Sequence, residues 1–261
     1  MSRPYSTLQR YFQRILPSLI FFIIIWESLV KLNIIDKAIF PSLGSVASAL
    51  YLWFSSGEMA RDIIASSWRV ALGLVIGTFL GIAVGFLTGR IKFTNILLGP
   101  IIQMIRSLPP VAIIPLIIIW FGIGDTAKIF SISFAVFFPN WINTHIGAEN
   151  IPITYLWCAK LFKANKVKIF LRVMLPASAQ HIIAGIRTGI PIAFIMVYVS
   201  ELAGASSGLG YQISISHLAY RIDKMIAALI VLGFLGGISD YLITSVIKNI
   251  FPWTKLQDNR L

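Results

Sequence analysis

The histidines, the cysteine and the phosphate-binding patterns are where catalysis would show in this sequence, and none of them supports it. His145, His181 and His217 lie far apart, without the spacing of a metal site. The single cysteine, Cys158, excludes an internal disulfide and a cysteine metal cluster. The Gly-x-x-x-x-Gly-Lys-[Ser/Thr] loop that cradles nucleotide phosphates is also missing. We predict no catalytic residue and no metal, and a membrane-embedded enzyme stays only as a third hypothesis.

One segment has the composition of a binding surface. Residues 153–164, ITYLWCAKLFKA, predict a helix of about three turns whose apolar and aromatic side chains sweep about 200°. Lys160 and Lys163 share the remaining side. Because a single membrane domain cannot easily cover so wide an arc, we expect a second protein to pack against this helix. Asn165 is predicted to cap a second short helix, which Pro176 should end.

Membrane-spanning helices must hold the segment 153–164 in place. The chain has 261 residues, of which 57% are hydrophobic and only 12% charged. Six apolar windows predict an all-α integral membrane protein with six transmembrane helices: charge-free windows at residues 70–89, 107–124 and 129–148, and weaker ones at 15–30, 182–202 and 225–247.

The positive charges predict the orientation of these spans. Thirteen lysines and arginines fall on the side of the N-terminus and seven on the other, so both termini are expected in the cytosol. The predicted division is a cytosolic segment at 1–16, a transmembrane domain at 17–250 that includes the cytosolic segment 150–176, and a tail at 251–261. The net charge of +12 fits an anionic lipid leaflet, and nothing indicates nucleic acid.

Five glycines in the second predicted span recur every four residues: Gly73, Gly77, Gly81, Gly85 and Gly89. This spacing places them in one stripe along a helix. A stripe of small residues lets another helix approach closely, so we expect a helix–helix contact there.

Three prolines, Pro109, Pro110 and Pro115, interrupt the third predicted span. Breaks at membrane depth tend to lie where protein or a water-filled path satisfies the freed carbonyls, so this segment is placed beside a translocation path. Arg106, just before the break, is either a snorkelling anchor or a solute contact.

The outer loops carry two further expectations. Residues 33–66 predict an external loop with a short interfacial helix whose Leu50, Leu52, Trp53 and Phe54 lie on the membrane surface. Glu201, at the end of the fifth span, is expected to cap the outer end or to pair with a cation.

Several motifs follow one another in a specific order over residues 17–250. They are the Trp26-Glu27 pair, SLPPVAIIPLIIIWFGIG, the Leu175-Pro176 pair, Gly185, Arg187, Glu201 and SSGLG at 206–210. Together they resemble the membrane permease subunits of bacterial ABC importers, specifically the nitrate, sulfonate, taurine and bicarbonate group. In that family the cytosolic loop carries a Glu-Ala-Ala triplet and a later glycine. Here the triplet falls on Trp157, Cys158 and Ala159, and the glycine on Lys163, so within these four positions only Ala159 matches.

The resemblance implies the type I ABC importer permease fold, with a cytosolic coupling helix between helices 4 and 5, in a bacterial inner membrane. It implies a pair of permease copies, expected to be a homodimer, two cytosolic ATPase subunits that use ATP and Mg, and an external solute-binding protein. This chain would bind no cofactor. The ATPase contact would fall on Trp157, Ala159, Leu161, Phe162, Lys163 and Ala164, and the translocation path on Arg106, Pro109, Pro110 and Arg187.

The solute implied by the resemblance is a small anion such as a sulfonate or taurine, nitrate or bicarbonate. The sulfonate members come first because SLPPVAIIPLIIIWFGIG looks closer to theirs, while riboflavin and thiamine-precursor importers stay open. The alternative function is a self-sufficient secondary transporter or channel. Such proteins place paired ionisable groups at the midplane, for which Glu27, Arg187, Glu201 and Asp240 are the candidates.

Overall fold

The computed structural model describes residues 7–32, 36 and 39–250, and the regular elements of that part of the chain are all helical. The helices are α1 (Thr7–Lys31), α2 (Leu43–Ser55), α3 (Glu58–Arg90), α4 (Lys92–Arg106), α5 (Ile114–Phe121), α6 (Asp125–Glu149), α7 (Ile153–Leu161), α8 (Lys166–Ile169), α9 (Leu175–Ala177), α10 (Ala179–Leu202), α11 (Leu209–Leu218) and α12 (Ile222–Ile250). A 3₁₀ turn, Pro110–Ile113, precedes α5, and a π turn, Phe170–Met174, joins α8 to α9. Residues 1–6 of the predicted N-terminal segment and the tail 251–261 lie outside the described residues.

Helix α6 is the centre of the bundle, because α3 packs along one side of it and α10 along another. The main hydrophobic core lies between these three helices and includes Leu74 of α3, Val136 of α6 and Val197 of α10. Helices α3 and α6 run in the same direction, and α10 runs in the opposite direction. The two ends of the bundle therefore carry different loops, with the start of α6 at one end and α7 at the other.

The glycine stripe of α3 lies against α6. A Cβ atom built on Gly77 would lie 2.5 Å from the carbonyl oxygen of Ser133, and one on Gly81 would lie 2.7 Å from that of Phe137. Gly73, Gly85 and Gly89 likewise face α6, where an added Cβ would come within 3.0 Å of its atoms. Because backbone oxygens cannot move aside as a side chain can, glycine at these positions is what allows the two helices to pack so closely.

Three helices of the described part are long and apolar enough to cross a membrane: Glu58–Arg90, Ala179–Leu202 and Ile222–Val246. A fourth candidate is the pair Lys92–Arg106 and Pro110–Phe121, which is bent by 91° at its break. Helix α6 has 25 residues, about 37 Å at the usual helical rise. Its many polar side chains reduce its hydropathy, as suits a helix that is enclosed by protein. The described residues thus give three or four candidate spans, and the count of six stays a prediction.

The window 107–124 does not form one straight helix. Helix α4 ends at Arg106, and helical structure resumes only at Pro110. Pro109 has extended backbone angles, with φ −64° and ψ 121°. The bend that the prolines predicted is confirmed, because a proline ring restricts the residue before it and removes a backbone donor.

Helix α2 differs from the predicted interfacial helix. Its Leu52 and Phe54 are exposed as expected, but Trp53 is only 2% exposed and packs with Leu209 and Ile213 of α11. The indole Nε1 of Trp53 donates to Asp62 of α3 at 3.3 Å. Trp53 is therefore an anchor between α2 and the bundle, and the prediction that it lies on the membrane surface is wrong.

Pro176 does not end the second short helix, contrary to the prediction. The chain stays helical from α8 through the π turn Phe170–Met174 and into α9, and the turn at Ser178 separates α9 from α10. A π turn is wider than an α turn, so it leaves room for the proline ring beside the preceding turn. The predicted cap is confirmed: the side chain of Asn165 accepts a hydrogen bond from the backbone N–H of Lys168 at 2.8 Å.

Candidate functional site

A buried ion pair lies at the end of the bundle where α6 begins. The Glu201 carboxylate, 1% exposed, accepts a hydrogen bond from Nη1 of Arg69 at 2.6 Å. The hydroxyl of Ser66 lies 2.9 Å from both carboxylate oxygens, and the backbone N–H of Gly210 donates at 2.8 Å. The prediction that Glu201 pairs with a cation is confirmed, and its partner is Arg69.

Arg69 joins four parts of the chain. Besides Glu201 of α10, its guanidinium donates through Nε to Asp125, the first residue of α6, at 2.8 Å. Its Nη1 also donates to the carbonyl oxygen of Ser207 in the loop before α11, at 2.7 Å. This one buried side chain on α3 therefore ties α6, α10 and the loop together.

The SSGLG loop is built around this ion pair. Its backbone N–H groups point inward: that of Gly208 donates to Asp62 at 2.8 Å, and that of Leu209 donates to Ser66 at 2.8 Å. Gly208 has a φ of 125°, and a Cβ atom there would lie 2.5 Å from the carboxylate of Glu201. Only glycine fits at this position, because both the backbone conformation and the space exclude a side chain.

Sequence reasoning did not identify Asp62, Ser66 and Arg69, although one signal could have done so. They are spaced four and three residues apart, which places them on a single helix face. The same face continues into Gly73 and Gly77, which pack against α6. Polar residues in line with a small-residue stripe are therefore expected to be buried, and buried charges need partners.

The arrangement at this end is structural. Another buried cation, Lys128, donates to the carbonyl oxygens of Ile123 and Gly124 at 3.1 and 3.2 Å. Both oxygens of the Glu201 carboxylate are engaged, so this group is not free to carry an ion. Within the residues that the structure describes, no group of three or more His, Cys, Asp or Glu side chains could hold a metal ion.

Helix α7 lies beyond the opposite end of α6 and is mostly uncovered. Trp157 is 58%, Leu161 81% and Phe162 87% exposed. Lys163 is also exposed, Ala164 is half-buried, and Ala159 is buried beside Leu156 on the side that packs on the rest of the chain. Of the six residues to which the sequence assigned a partner contact, Ala159 thus faces inward and four are fully available on the surface.

Lys163 has the left-handed backbone conformation that favours glycine, with φ 50°. The N–H of Ala164 donates to the carbonyl of Ala159 at 3.1 Å, and that of Lys163 donates to the carbonyl of Lys160 at 2.9 Å. This pair of bonds is the Schellman motif, with Lys163 at the position where glycine is usual. The lysine thus adopts the turn for which the resembling family has a glycine.

Replacing Lys163 with glycine should stabilise the protein by about 1 kcal/mol, because a left-handed residue with a Cβ carries a steric cost. Thermal unfolding of the purified variant in detergent measures this. The matched change Lys160→Gly lies in the last turn of α7 and should destabilise by about 1 kcal/mol. A lower unfolding temperature for Lys163→Gly than for the unchanged protein would contradict the steric argument.

Arg106 and Pro110 line a cavity of about 470 Å³ beside the break between α4 and α5. Its other walls are the middle parts of α6 and α10. Pro109 and Arg187, which the sequence also assigned to a path, are not part of this lining: Pro109 precedes the 3₁₀ turn and Arg187 is exposed on α10. The structure thus brings together two of the four predicted path residues.

Comparison with known proteins places the chain among transport components. Residues 73–252 match the family described as binding-protein-dependent transport system inner membrane component. The putative aliphatic sulfonates transport permease protein SsuC of Bacillus subtilis is 32% identical over 245 residues, which cover 92% of this chain and 86% of that protein. The nitrate import permease protein NrtB of Synechocystis is 31% identical over 191 residues, 73% of this chain and 70% of that one.

The fold is similar to that of a solved transporter. A chain of the MetNI methionine ABC transporter, in an inward-facing conformation, matches with a TM-score of 0.55 over 76% of this chain and 97% of that chain. The two sequences are 19% identical, so this likeness concerns the fold alone.

Proposed function

This chain belongs to the family of binding-protein-dependent transport system inner membrane components, and from that premise we propose that it imports a small anion by alternating access. Family membership makes it a permease component of an ABC transporter, which is not itself catalytic and binds no cofactor. ATP hydrolysis belongs to a partner ATPase, and solute delivery to a binding protein.

The proposed assembly contains two copies of this permease, two cytosolic ATPase subunits that use ATP and Mg, and one external binding protein. Each permease copy has six spans, with both termini and α7 in the cytosol. The buried Arg69–Glu201 pair then lies at the external end, because it is at the opposite end of α6 from α7. The length of α6, about 37 Å, suits a helix that crosses a hydrocarbon layer of about 30 Å.

The exposed face of α7 is the observation that carries this proposal. Trp157 and Leu161 of α7 and Phe162 at its end present apolar surface to solvent, and a helix of nine residues is too short to cross a membrane core. A contiguous exposed apolar face of this kind is a protein–protein contact. A transporter without a nucleotide loop of its own needs such a contact with its ATPase, and α7 provides it.

The proposed substrate class rests on the solutes named for two relatives and on the negative charge that those solutes share. One relative is named for aliphatic sulfonates and another for nitrate, both of them small anions. A sulfonate or taurine is our first choice, with nitrate and bicarbonate next, because the sulfonate relative matches over the larger share of the chain.

The rival function, a self-sufficient secondary transporter, loses support from Glu201. This acid would be its best carrier of a proton or sodium ion, but it is held by Arg69, Ser66 and Gly210. A carboxylate bound in this way stabilises the fold and has no free oxygen for a transported ion.

Replacing Trp157 or Phe162 with aspartate should abolish ATP-driven uptake and weaken association with the ATPase, because a carboxylate in an apolar contact must be desolvated without a partner. Uptake in proteoliposomes and copurification of the ATPase measure the two effects. Insertion of the permease into the membrane should be unchanged, since both side chains are exposed in the chain by itself.

Two matched variants control this experiment. Lys160→Asp adds the same carboxylate to the solvated side of α7 and should leave ATPase copurification intact. Trp157→Phe keeps an aromatic apolar side chain and should retain most of the uptake. Unchanged copurification and uptake in Trp157→Asp would refute the contact, and solute movement without any ATPase would favour the rival.

A further inference from the structure

The cavity beside the α4–α5 break lies at mid-depth of the bundle. Its wall includes Ala135 to Asn143 of α6 and Thr188 to Met196 of α10. At 1.5 Å per residue, these positions lie about 9 Å or more from either end of both helices. A volume of about 470 Å³ falls within the range of about 300–1,000 Å³ that is typical of small-molecule sites.

The wall of this cavity has backbone groups that call for water or a ligand. Pro139 has no N–H to donate to the carbonyl of Ala135, and both residues line the cavity. Pro110, across the cavity, begins the 3₁₀ turn after the break. Irregular backbone at membrane depth is tolerated where it is buried in protein or borders a water-filled space, and we infer that this cavity is a hydrated compartment.

Arg106 is the one charged side chain among the described residues that line this compartment. No described side chain forms a hydrogen bond or ion pair with its guanidinium. The two other strongly polar residues of the wall also make local hydrogen bonds: Asn143 donates one amide N–H to the carbonyl of Pro139 at 2.8 Å, and Thr188 donates to that of Ala184 at 2.9 Å. Arg106 therefore supplies the charged donors of the compartment, beside the second amide N–H of Asn143.

From this geometry we propose that Arg106 binds the anionic group of the solute in the cavity and selects for anions during passage. A guanidinium presents a planar fork of N–H donors that matches sulfonate, carboxylate or nitrate oxygens. The rest of the wall is mostly apolar, which suits the short carbon chain of an organic sulfonate. The Arg106 side chain is exposed, so its donors are accessible to a solute in the cavity.

This inference rests on the proposed function, because it requires that the solute passes the cavity. The alternative occupant is a lipid tail, which needs no charge. A lipid tail predicts that neutralising Arg106 has no effect on transport, whereas a bound anion predicts a loss.

The test uses the full transporter in ATP-loaded proteoliposomes, with radiolabelled ethanesulfonate, taurine and nitrate as probes. For the probe that the unchanged complex accumulates, Arg106→Gln should reduce uptake about tenfold to hundredfold, the usual cost of losing a charge-assisted hydrogen bond. Arg106→Lys should give intermediate uptake, because it keeps the charge but loses the planar fork. Lys92→Gln removes an exposed charge from the other end of α4 and should leave uptake unchanged.

A second readout separates binding from folding. Stimulation of ATP hydrolysis by the loaded binding protein should persist in Arg106→Gln, since Arg106 lines the cavity at the α4–α5 break and is not part of α7. In a chain with Cys158→Ser, Arg106→Cys should lose uptake and regain it after reaction with a cationic thiol reagent but not with a neutral one. Such rescue requires an assembled transporter, so it excludes misfolding as the cause of the loss.

Each outcome bears on one of the two proposals. Wild-type uptake by Arg106→Gln would overturn the anion site and leave the proposed import function standing. Joint loss of uptake and stimulated ATP hydrolysis in both the Gln and Lys variants would show a structural role and also overturn the site. If the unchanged complex accumulated none of the three anions, the proposed anion import would fail, and the site with it.

Discussion

Replacing Arg69 with methionine should destabilise the protein by about 3–5 kcal/mol, because it leaves the Glu201 carboxylate buried without its cation. Ser66 and the N–H of Gly210 would still donate to it, but neither carries a charge. The same change frees the carbonyl of Ser207 and the Asp125 carboxylate. Thermal unfolding of the purified permease in detergent should therefore show a large decrease in the midpoint temperature.

Two further variants test whether the unpaired charge is the cause. Arg69→Met combined with Glu201→Gln should be more stable than Arg69→Met alone, because a neutral amide still accepts from Gly210 and the buried carboxylate that lacked its cation is gone. Asp125→Asn removes the exposed partner of the same arginine and should cost no more than about 1 kcal/mol. If the double variant were as unstable as the sum of the single variants, the ion pair would not be the source of the stability.

Replacing Gly81 with alanine should destabilise the protein by about 1–3 kcal/mol, although alanine is the better helix former. The added Cβ would lie 2.7 Å from the carbonyl oxygen of Phe137 and 3.0 Å from the backbone nitrogen of Trp141. These are backbone atoms of α6, so relief requires α3 and α6 to separate, and the core between them to loosen. Thermal unfolding and the yield of folded permease after detergent extraction measure the effect.

Gly233 of α12 provides a control of opposite sign. A Cβ built there meets no atom within 4 Å, so Gly233→Ala should stabilise the helix by up to about 1 kcal/mol. Equal effects of the two substitutions would mean that helix propensity decides both, and that close packing against α6 does not matter.

Local and periodic features were predictable from the sequence. Glycines every four residues indicated a close helix contact, and the structure places Gly77 and Gly81 against α6. The Asn165 cap and the bend at Pro109 and Pro110 each follow from one or two residues and their neighbours. Such features depend on spacing along one helix, which the sequence displays directly.

Features that depend on distant pairs were not predictable in the same way. Arg69 and Glu201 are 132 positions apart, and nothing in either local sequence identifies the other as its partner. Trp53 looks like an interfacial aromatic until α11 covers it. Pro176 looks like a helix end until a π turn accommodates it. In each case tertiary packing overrode a sound local preference.

The turn at Lys163 was predictable only in part from the sequence. The resemblance located a glycine position there, and a lysine adopts the backbone angle of such a glycine only at a steric cost. The structure has that angle nonetheless, with φ 50°, because two backbone hydrogen bonds of the turn hold it. The turn after α7 is therefore set by the hydrogen bonds around it more than by the side chain.

The length of α6 is constrained by what its two ends must position. Its first residue, Asp125, contacts Arg69 at one end of the bundle, and α7 begins at Ile153, four residues after its last residue, Glu149. Inserting or deleting one residue between them would rotate one part of α6 by about 100° relative to the other. The glycine contacts, the ion pair and the direction of α7 could not then all be kept. We therefore expect insertions and deletions to be tolerated in the loops and not within α6, where they would change the distance from the ion pair to the surface of α7.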